Sequence, residues 1–316
     1  VNGGRLSSKK GVNVPSGLFR LPILRDKDLS DLRFGLEQGV DYVGLSFVRT
    51  AQDLIVAKQE MEKLGRSAPL IAKIETKAAL KNFDEILEEA DGIMIARGDL
   101  SIETPFSQVP VLQKQLIARA NEAAKPSITA TQMLWSMVDR PRPTRAEVAD
   151  VANAVMDGSD AVMLSEETTI GNYPLEAVRT MASVATETEK AGFDPGWKRD
   201  YSERERPSQE EEVAWAGCQL ARRLDVGFLG TITSSGETAR FAAKYRPSQP
   251  ILAVTQRVKT YRRLALVRGV TPLLLKGEQG TFERIVEAAV KIVSKRGWQD
   301  SEGVFISRDR VRVGRL

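Results

Sequence analysis

Ile71-Ala-Lys-Ile-Glu-Thr76 and Ile93-Met-Ile-Ala-Arg-Gly-Asp99 are two consecutive apolar runs that end in charged residues. Alternate residues of a strand share a face, so Lys73 and Glu75 are expected to point the same way. The second run is expected to keep its alternate residues on one face as far as Asp99. Two carboxylates beside an ammonium group suit a magnesium ion and an anionic, oxygen-rich substrate. An ordinary ion pair at two strand ends is the alternative interpretation.

A repeating pattern of apolar runs extends from residue 21 to about residue 190. Each run is followed by a polar residue and then by an amphipathic segment. Continuous hydrophobicity is typical of parallel strands covered on both faces, and the amphipathic segments supply helical crossovers. The predicted strands span residues 41–48, 69–75, 92–97, 127–133 and 160–165. Corresponding positions recur every 22 to 35 residues, which predicts an α/β fold with five βα units of a (β/α)8 TIM barrel.

The sequence after residue 190 predicts a second unit. Residues 191–208 contain prolines, glycines and several charges, and are expected to form a linker. Residues 209–316 alternate helical and strand patterns and end in a predicted hairpin. This arrangement resembles a small doubly wound α/β sheet. The domain prediction is therefore a partial barrel over residues 21–190, a linker, and a C-terminal α/β domain.

The composition excludes several classes of function. No histidine occurs among the 316 residues, which excludes Ser-His-Asp and Cys-His mechanisms and histidine-ligated zinc. Cys218 is the single cysteine, so an intrachain disulfide framework is excluded and a cytoplasmic location is expected. A net charge of +4, spread along the chain, does not indicate a nucleic-acid partner. No apolar run approaches the roughly 20 residues of a membrane span.

Several collinear motifs resemble the pyruvate kinase family. The N-terminal ones are Ala72-Lys-Ile-Glu75, Gly92-Ile-Met-Ile-Ala-Arg-Gly-Asp-Leu100, Ala130-Thr-Gln-Met-Leu134, Arg140-Pro-Arg-Pro-Thr-Arg-Ala-Glu147, Asp150-Val-Ala-Asn-Ala-Val-Met-Asp-Gly158, Val162-Met-Leu-Ser165 and Tyr173-Pro-Leu-Glu-Ala-Val178. The C-terminal ones are Thr233-Ser-Ser-Gly236, Lys244-Tyr-Arg-Pro247 and Arg268-Gly-Val270. The resemblance covers essentially the whole chain. It implies magnesium-dependent phosphoryl transfer from phosphoenolpyruvate to ADP, giving pyruvate and ATP in glycolysis.

The resemblance implies a role for each charged residue of the opening motifs. Glu75 and Asp99 would hold the divalent metal, Mg²⁺ or Mn²⁺, that bridges the enolate and phosphoryl oxygens of the substrate. Lys73 would lie against the phosphoryl group and offset its charge during transfer. These roles agree with the chemistry, because phosphoryl transfer needs positioning and charge neutralisation more than covalent work by the protein.

The resemblance also implies which residues bind the rest of the substrate. Backbone amides around Gly98 and Asp99 would hold the carboxylate of phosphoenolpyruvate. Thr131 would contact the substrate and help to place the proton delivered to the enolate carbon. Ser165 resembles a member of the water-linked relay that supplies this proton. Glu166, beside it, stands where many relatives have glycine, and the sequence offers no account of this difference.

The C-terminal domain carries a predicted effector site. Its residues are Thr233, Ser234, Ser235, Gly236 and Thr238, which open a helix directly after a strand. Free amides and hydroxyls at a helix N-terminus favour anions, and by resemblance this is an allosteric pocket for a sugar phosphate or nucleotide. The alternative is plain N-capping of the helix by Ser or Thr. The resemblance also implies a homo-oligomer, most simply a tetramer.

Family motifs that precede this region do not occur in the sequence. They belong to three further barrel strands and a lid domain, and they include the ligands expected for phosphate and for K⁺. The chain is therefore expected to be the C-terminal part of a pyruvate kinase-like protein and incomplete for activity alone. Residues 1–20 are expected to return from the missing lid domain.

Two other functions stay open on the sequence. One is a non-catalytic, regulatory relative of the family that binds a sugar phosphate. The other is a magnesium-dependent enolate lyase or aldolase, whose barrels also use an Ile-Glu-Thr strand end and a later aspartate. Lys73 and the run Ala130-Thr-Gln-Met133 argue against the lyase. Retention of all five predicted metal, phosphate and proton-relay positions argues against a long-decayed regulatory protein.

Overall fold

The computed structural model describes residues 22–191, 207–275, 282–294 and 302–315. Within these ranges the chain forms two units, each built on a five-stranded sheet. The predicted return segment, residues 1–20, and most of the predicted linker lie outside the described residues. The domain boundaries proposed from the sequence therefore stay predictions.

The first sheet confirms the five predicted barrel strands. They are β1 (Val43–Leu45), β2 (Leu70–Ile74), β3 (Gly92–Ala96), β4 (Ser127–Ala130) and β5 (Ala161–Met163). The strands follow one another in sequence order, and every neighbouring pair is parallel. The sequence predicted longer strands because it could not separate strand residues from the apolar turns that follow them. Sequential parallel order with intervening helices is the arrangement of a partial TIM barrel.

Helices connect and cover these strands. They are α1 (Asp26–Glu37), α2 (Ala51–Lys63), α3 (Lys77–Lys81), α4 (Phe83–Glu89), α5 (Arg97–Glu103), α6 (Val109–Glu122), α7 (Arg145–Met156), α8 (Glu166–Thr169) and α9 (Pro174–Lys190). Leu54, Ile86 and Ile117 from three of these helices are fully buried in one apolar cluster with Ile74 and Ile95 of the sheet. Burying such side chains removes apolar surface from water and fixes the helices to the strands.

The second unit confirms the doubly wound sheet. Its elements are α10 (Gln209–Leu224), β6 (Phe228–Ile232), α11 (Glu237–Lys244), β7 (Ile251–Thr255), α12 (Val258–Leu264), β8 (Val270–Leu274), α13 (Phe282–Ser294), β9 (Glu302–Ile306) and β10 (Val311–Arg315). The strand order is β10-β9-β6-β7-β8, and only the β9–β10 pair is antiparallel. The predicted terminal hairpin therefore extends the parallel sheet at β6.

Alternate residues of these strands fall into two apolar clusters, one on each face of the sheet. Leu229 packs with Cys218 of α10, whereas its neighbour Phe228 packs with Ala289 of α13. Helices thus cover both faces, as a doubly wound sheet requires. In none of the described ranges does a helix combine the length and the apolar character needed to span a membrane.

The two units meet at the amino-terminal ends of the barrel strands. Arg246 donates hydrogen bonds to Asp160 Oδ1 (3.2 Å) and to the carbonyl oxygen of Gly158 (2.8 Å), just before β5. The backbone amide of Arg268 also donates to Asp160 Oδ1 (3.1 Å). Burial, and the like charge of Arg246, lower the pKa of Arg268. The C-terminal unit therefore lies at the edge opposite to the carboxyl ends of the strands.

A side chain at position 303, where the chain has glycine, is predicted to clash with neighbouring atoms. A Cβ built at this buried position lies 2.1 Å from Cζ of Phe228, whose ring packs edge-on against Phe305. The Gly303→Ala substitution is expected to destabilise the chain by about 1–3 kcal/mol, since overpacking forces the ring to shift. Equilibrium unfolding in urea measures the change.

Gly314 is the matched control, because it pairs with Gly303 across the β9–β10 hairpin. A Cβ built at Gly314 lies 3.6 Å from its nearest neighbour, an ordinary contact with Phe305. Gly314→Ala is expected to change the unfolding free energy by less than about 0.5 kcal/mol. Equal effects of the two substitutions would contradict the packing account.

Cys218 is predicted to be inert in the folded chain. Its burial against α11 raises the pKa of the thiol to about 12. At pH 8 only about one thiol in ten thousand is then ionised, and thiolate is the reactive form. Alkylation by iodoacetamide is expected to be slow in buffer and fast in denaturing urea. Rapid labelling of the native chain at this pH would show that the helix packing is wrong.

Candidate active site

The ammonium group of Lys73 and the carboxylate of Glu75 lie together at the carboxyl end of β2. Lys73 Nζ is 2.8 Å from Glu75 Oε1 and donates to Ser46 Oγ at 2.7 Å. The second carboxylate oxygen of Glu75 accepts the backbone amide of Phe47 at 2.6 Å. The glutamate side chain is only 1% exposed, whereas the lysine is 25% exposed. The expectation that the two residues share a face is confirmed, and the pair ties β2 to the loop that follows β1.

Asp99 does not lie in the strand register, and that part of the sequence prediction is wrong. β3 ends at Ala96, and Asp99 lies in the first turn of α5. Residues two apart share a face in a strand but point in different directions in a helix, so Asp99 does not share a face with Arg97. The carboxylate of Asp99 is half-buried, and within the described part of the chain it has no hydrogen-bond or ion-pair partner.

Glu75 and Asp99 follow two adjacent paired strands, β2 and β3. No group of three or more acidic, histidine or cysteine side chains in the described ranges is arranged to hold a metal ion. A pair of carboxylates still fits Mg²⁺, which keeps several waters and binds proteins through one or two carboxylates plus substrate oxygens. The unpartnered carboxylate of Asp99 and the unused lone pairs of Glu75 meet this requirement.

Thr131 adopts an unusual backbone conformation directly after β4. Its φ is +73°, and the next residue, Gln132, has a φ of +56°. A β-branched residue at positive φ costs about 1–3 kcal/mol, so the surrounding structure must hold it in place. The amide of Gly98 donates to Thr131 Oγ1 at 2.8 Å, and this hydroxyl donates to the carbonyl of Ala130 at 2.6 Å. Two predicted substrate-binding residues, Gly98 and Thr131, are therefore in direct contact.

Arg97 supports this strained turn and was not singled out as a site residue from the sequence. Its guanidinium donates to the carbonyl oxygen of Thr131 at 2.9 Å and to Asp150 Oδ1 of α7 at 2.7 Å. One side chain thus joins the start of α5, the turn after β4 and helix α7. The sequence carries only a weak signal for this role, namely an arginine at the end of an apolar run.

Ser165 lies between β5 and α8, with a φ of −120° and a ψ of −99°. Its backbone amide donates to Glu167 Oε2 at 2.8 Å. The other oxygen of this fully buried carboxylate accepts the amide of Leu134 at 2.9 Å. Glu167 therefore links the loop after β4, which carries Thr131, to the loop after β5. The sequence analysis did not single out Glu167, because its burial depends on contacts between two loops that no local pattern records.

The predicted site residues gather at the carboxyl edge of the first sheet. The structure joins four of them in two pairs, Lys73 with Glu75 and Gly98 with Thr131. Ser165 is bonded instead to Glu167, which was not predicted, and no contact joins Asp99 to the other predicted residues in the described ranges. Carboxyl ends of parallel strands meet at one edge, and active sites of TIM barrels are built there. An ammonium group, an unpartnered carboxylate and two hydroxyls at this edge can bind an anionic substrate together with a metal ion.

The predicted effector loop forms a hydrogen-bonded turn before α11. Thr233 Oγ1 accepts the amide of Gly236 at 2.8 Å, and Ser235 Oγ accepts the amide of Glu237 at 3.3 Å. Thr260 of α12 donates to the carbonyl oxygen of Ser234 at 2.7 Å. Thr238 is buried in the first turn of α11. The N-cap residue of α11 is Gly236, and it makes no side-chain cap hydrogen bond, so the alternative of N-capping by Ser or Thr is wrong. Effector binding stays a prediction.

Comparisons with known proteins agree with this fold. A family description, "Pyruvate kinase, barrel domain", matches residues 1–178, and "Pyruvate kinase, alpha/beta domain" matches residues 211–315. Pyruvate kinase 2 of Synechocystis is 49% identical over 292 residues, which are 92% of this chain and 49% of that protein. The pyruvate kinase of Geobacillus stearothermophilus is 49% identical over 275 residues, which are 85% of this chain and 46% of that protein.

A solved structure gives the same result. The crystal structure of a pyruvate kinase from Cryptosporidium parvum matches with a TM-score of 0.89 and 35% identity, over 96% of this chain and 64% of that one. The chain spans about half the length of the curated relatives described above. The matched barrel, the matched C-terminal unit and the identity over most of its length together show that this chain belongs to the pyruvate kinase family.

Proposed function

We propose that this chain carries part of the active site of a pyruvate kinase, which transfers the phosphoryl group of phosphoenolpyruvate to ADP. The observations that carry the proposal are the Lys73–Glu75 pair at the end of β2 and the unpartnered carboxylate of Asp99, a half-buried residue in the turn after the neighbouring strand β3. A structural ion pair would account for Lys73 and Glu75. It gives no reason for an unpartnered carboxylate at the end of the neighbouring strand. Family membership favours this function over the lyase alternative.

Glu75 and Asp99 would hold Mg²⁺ or Mn²⁺. When bound, this ion supplies positive charge at the phosphoryl and enolate oxygens. Glu75 is oriented for this role by two fixed donors, the ammonium of Lys73 and the amide of Phe47. Such prior orientation lowers the cost of assembling the site around the substrate.

Lys73 would offset the negative charge of the phosphoryl group during its transfer. Its ammonium is partly exposed and has two protein partners, Ser46 and Glu75. An ammonium group can donate three hydrogen bonds, so one remains for a phosphoryl oxygen. A fixed positive charge stabilises the charge that is shared between leaving and entering oxygens.

Backbone amides around Gly98 and Asp99 would hold the substrate carboxylate, and Thr131 would contact the substrate. The Gly98 amide donates to Thr131 Oγ1. A carboxylate that takes this amide must therefore compete with the threonine hydroxyl. The displaced hydroxyl would become available to the substrate. Ser165 would then belong, with Thr131, to a relay of hydroxyls and water that protonates the enolate carbon, since the chain has no histidine to do so.

The remaining parts of the proposal follow from the family. We propose a cytoplasmic homotetramer that uses Mg²⁺ and K⁺. We further propose that the loop of Thr233, Ser234, Ser235, Gly236 and Thr238 binds a sugar-phosphate or nucleotide effector. The support for the loop is its position at the start of α11, where backbone amides favour anions.

Lys73→Met is expected to lower kcat by about 10²- to 10³-fold, since it removes one preorganised charge from the transition state. The assay couples pyruvate formation to lactate dehydrogenase in the full polypeptide that carries this chain. Circular dichroism and a titration with Mn²⁺, followed by electron paramagnetic resonance, test whether the fold and the metal site persist.

Lys58→Met is the matched control, because Lys58 also forms an ion pair, at 2.9 Å with Glu89, on the outer helices. It is expected to leave kcat within about twofold of the wild-type value, as surface ion pairs contribute little. Turnover of the Lys73→Met protein at the wild-type rate would show that Lys73 has no part in catalysis.

Glu167→Gln is expected to destabilise the chain by about 1–3 kcal/mol, because one carboxylate oxygen that accepts a backbone amide is replaced by a donor. The loops carrying Thr131 and Ser165 should also lose their fixed spacing, so kcat should fall while the Km for ADP stays constant. Glu166→Gln is the control. Glu166 directly precedes Glu167, and its carboxylate has no hydrogen-bond partner among the described residues. Similar stabilities and rates for the two variants would contradict the linking role of Glu167.

A further inference from the structure

Arg97 is a partly buried cation that joins the turn after β4 to two helices. Its side chain is 12% exposed and belongs to the first turn of α5. Nη2 donates to the carbonyl oxygen of Thr131 at 2.9 Å. Nη1 donates to Asp150 Oδ1 of α7 at 2.7 Å and to Gln113 Oε1 of α6 at 3.3 Å. The rigid, planar guanidinium therefore fixes the distance between the turn and these helices.

Two consecutive residues of α5 hold both the backbone and the side chain of Thr131. The guanidinium of Arg97 binds its carbonyl oxygen, and the amide of Gly98 binds its side-chain oxygen. This support matters because Thr131 and the next residue, Gln132, both have a positive φ. Such conformations persist only where the surrounding structure over-determines them. Loss of the bond from Arg97 would let the backbone of Thr131 relax, and its hydroxyl would move with it.

Asp150 holds the guanidinium from a helix that is itself firmly placed. A capping box closes the start of α7. Val151, the next residue, is fully buried in the same apolar cluster as Met133 of the loop after β4. The second acceptor is also fixed, since the side-chain amide of Gln113 donates to Asp157 Oδ2 at 2.9 Å. Support of this kind from rigid elements is what keeps a site in its productive geometry.

A structural ion pair between α5 and α7 would need only Arg97 and Asp150. It gives no reason for the bond between the other end of the guanidinium and the turn of Thr131. Within the described ranges, Arg97 has no hydrogen bond or ion pair with the proposed metal and phosphoryl residues Lys73, Glu75 and Asp99. The influence of Arg97 on the site is therefore directed at Thr131.

We propose that Arg97 and Asp150 are positioning residues, which set the hydroxyl of Thr131 for protonation of the enolate carbon. This inference rests on the proposed function. In that step the electron pair of the enolate forms the new C–H bond, and an O–H bond of the hydroxyl-and-water relay breaks and leaves its electrons on oxygen. The proton donor must lie within hydrogen-bond reach of the carbon. A misplacement of about 1 Å can cost about a hundredfold in rate.

Exchange of the pyruvate methyl protons with D2O, followed by proton NMR, measures this step in reverse in the full polypeptide with Mg²⁺. Arg97→Lys keeps the charge but loses the fork that reaches carbonyl and carboxylate together, so it should slow this exchange by about ten- to a hundredfold. Asp150→Asn offers the guanidinium only a neutral oxygen and should slow it by about tenfold. The affinity for Mn²⁺ should stay unchanged in both, whereas general distortion of α5, which carries Asp99, would lower it.

The Arg97→Lys, Asp150→Asn double variant tests whether Asp150 acts through Arg97. Groups that act as one unit have effects that do not multiply. The double variant is therefore expected to exchange pyruvate protons about as slowly as Arg97→Lys alone. A rate reduced by the product of the two single effects would overturn the pairing.

Arg119→Lys and Asp84→Asn are the matched controls, because these two residues form an ion pair between helices α6 and α4. Both variants are expected to exchange pyruvate protons at the wild-type rate. Wild-type rates in Arg97→Lys and Asp150→Asn would overturn the proposal. Equal losses in the control variants would overturn it as well, since they would show a general effect of weakened ion pairs.

Amide hydrogen exchange of a peptide that contains Gly98, measured by mass spectrometry, separates this proposal from the proposed function. The Gly98 amide is bonded to Thr131 Oγ1, so its protection reports the position of that hydroxyl without any substrate. Asp150→Asn is expected to speed its exchange by about threefold. Unchanged protection would overturn the proposal while leaving the proposed function intact. A wild-type protein that exchanges no pyruvate protons would overturn the proposed function, and with it the role in protonation.

Discussion

The parallel pairing of β2 with β3 is the constraint on which the proposed site depends. It pairs Lys73 with Met94 and Ile74 with Ile95, so the two strands end at the same level. The residues that follow, Glu75 and Asp99, must then emerge at one edge of the sheet. A shift of the register by one residue would place the side chain of Lys73 on the opposite face of the sheet. The apolar packing of both faces fixes the register, and the register fixes the positions of the proposed site residues.

Two charged side chains, the partly buried Arg97 and the fully buried Glu167, fix the loops at that edge. Arg97 donates to the carbonyl oxygen of Thr131 and so stabilises a residue whose positive φ is unfavourable. Glu167 accepts one amide from the loop after β4 and one from the loop after β5. Neither side chain needs to contact a substrate to affect the site. Each fixes backbone atoms whose spacing decides where the hydroxyls of Thr131 and Ser165 lie. Phosphoryl transfer depends mainly on such rigid positioning of groups by the protein.

The opposite edge of the barrel serves a different purpose. Asp160 directly precedes β5, and its carboxylate accepts hydrogen bonds from the side chain of Arg246 and the amide of Arg268 in the C-terminal unit. Charges between the units are therefore organised around one carboxylate, with an excess of positive charge beside it. The two edges of the sheet thus separate the proposed chemistry from the contacts between the units.

The sequence by itself determined the five barrel strands, the second sheet and the common face of Lys73 and Glu75, because alternation and apolar runs are local properties of the chain. It did not determine where strands stop. Thr131 and Asp99 lie beyond strand ends that the sequence placed too late, since an apolar run continues through a turn. Only the tertiary structure decided the contacts of Arg97 and Glu167 and those of Asp160 with the C-terminal unit. Those contacts join segments far apart in sequence, and no local pattern records them.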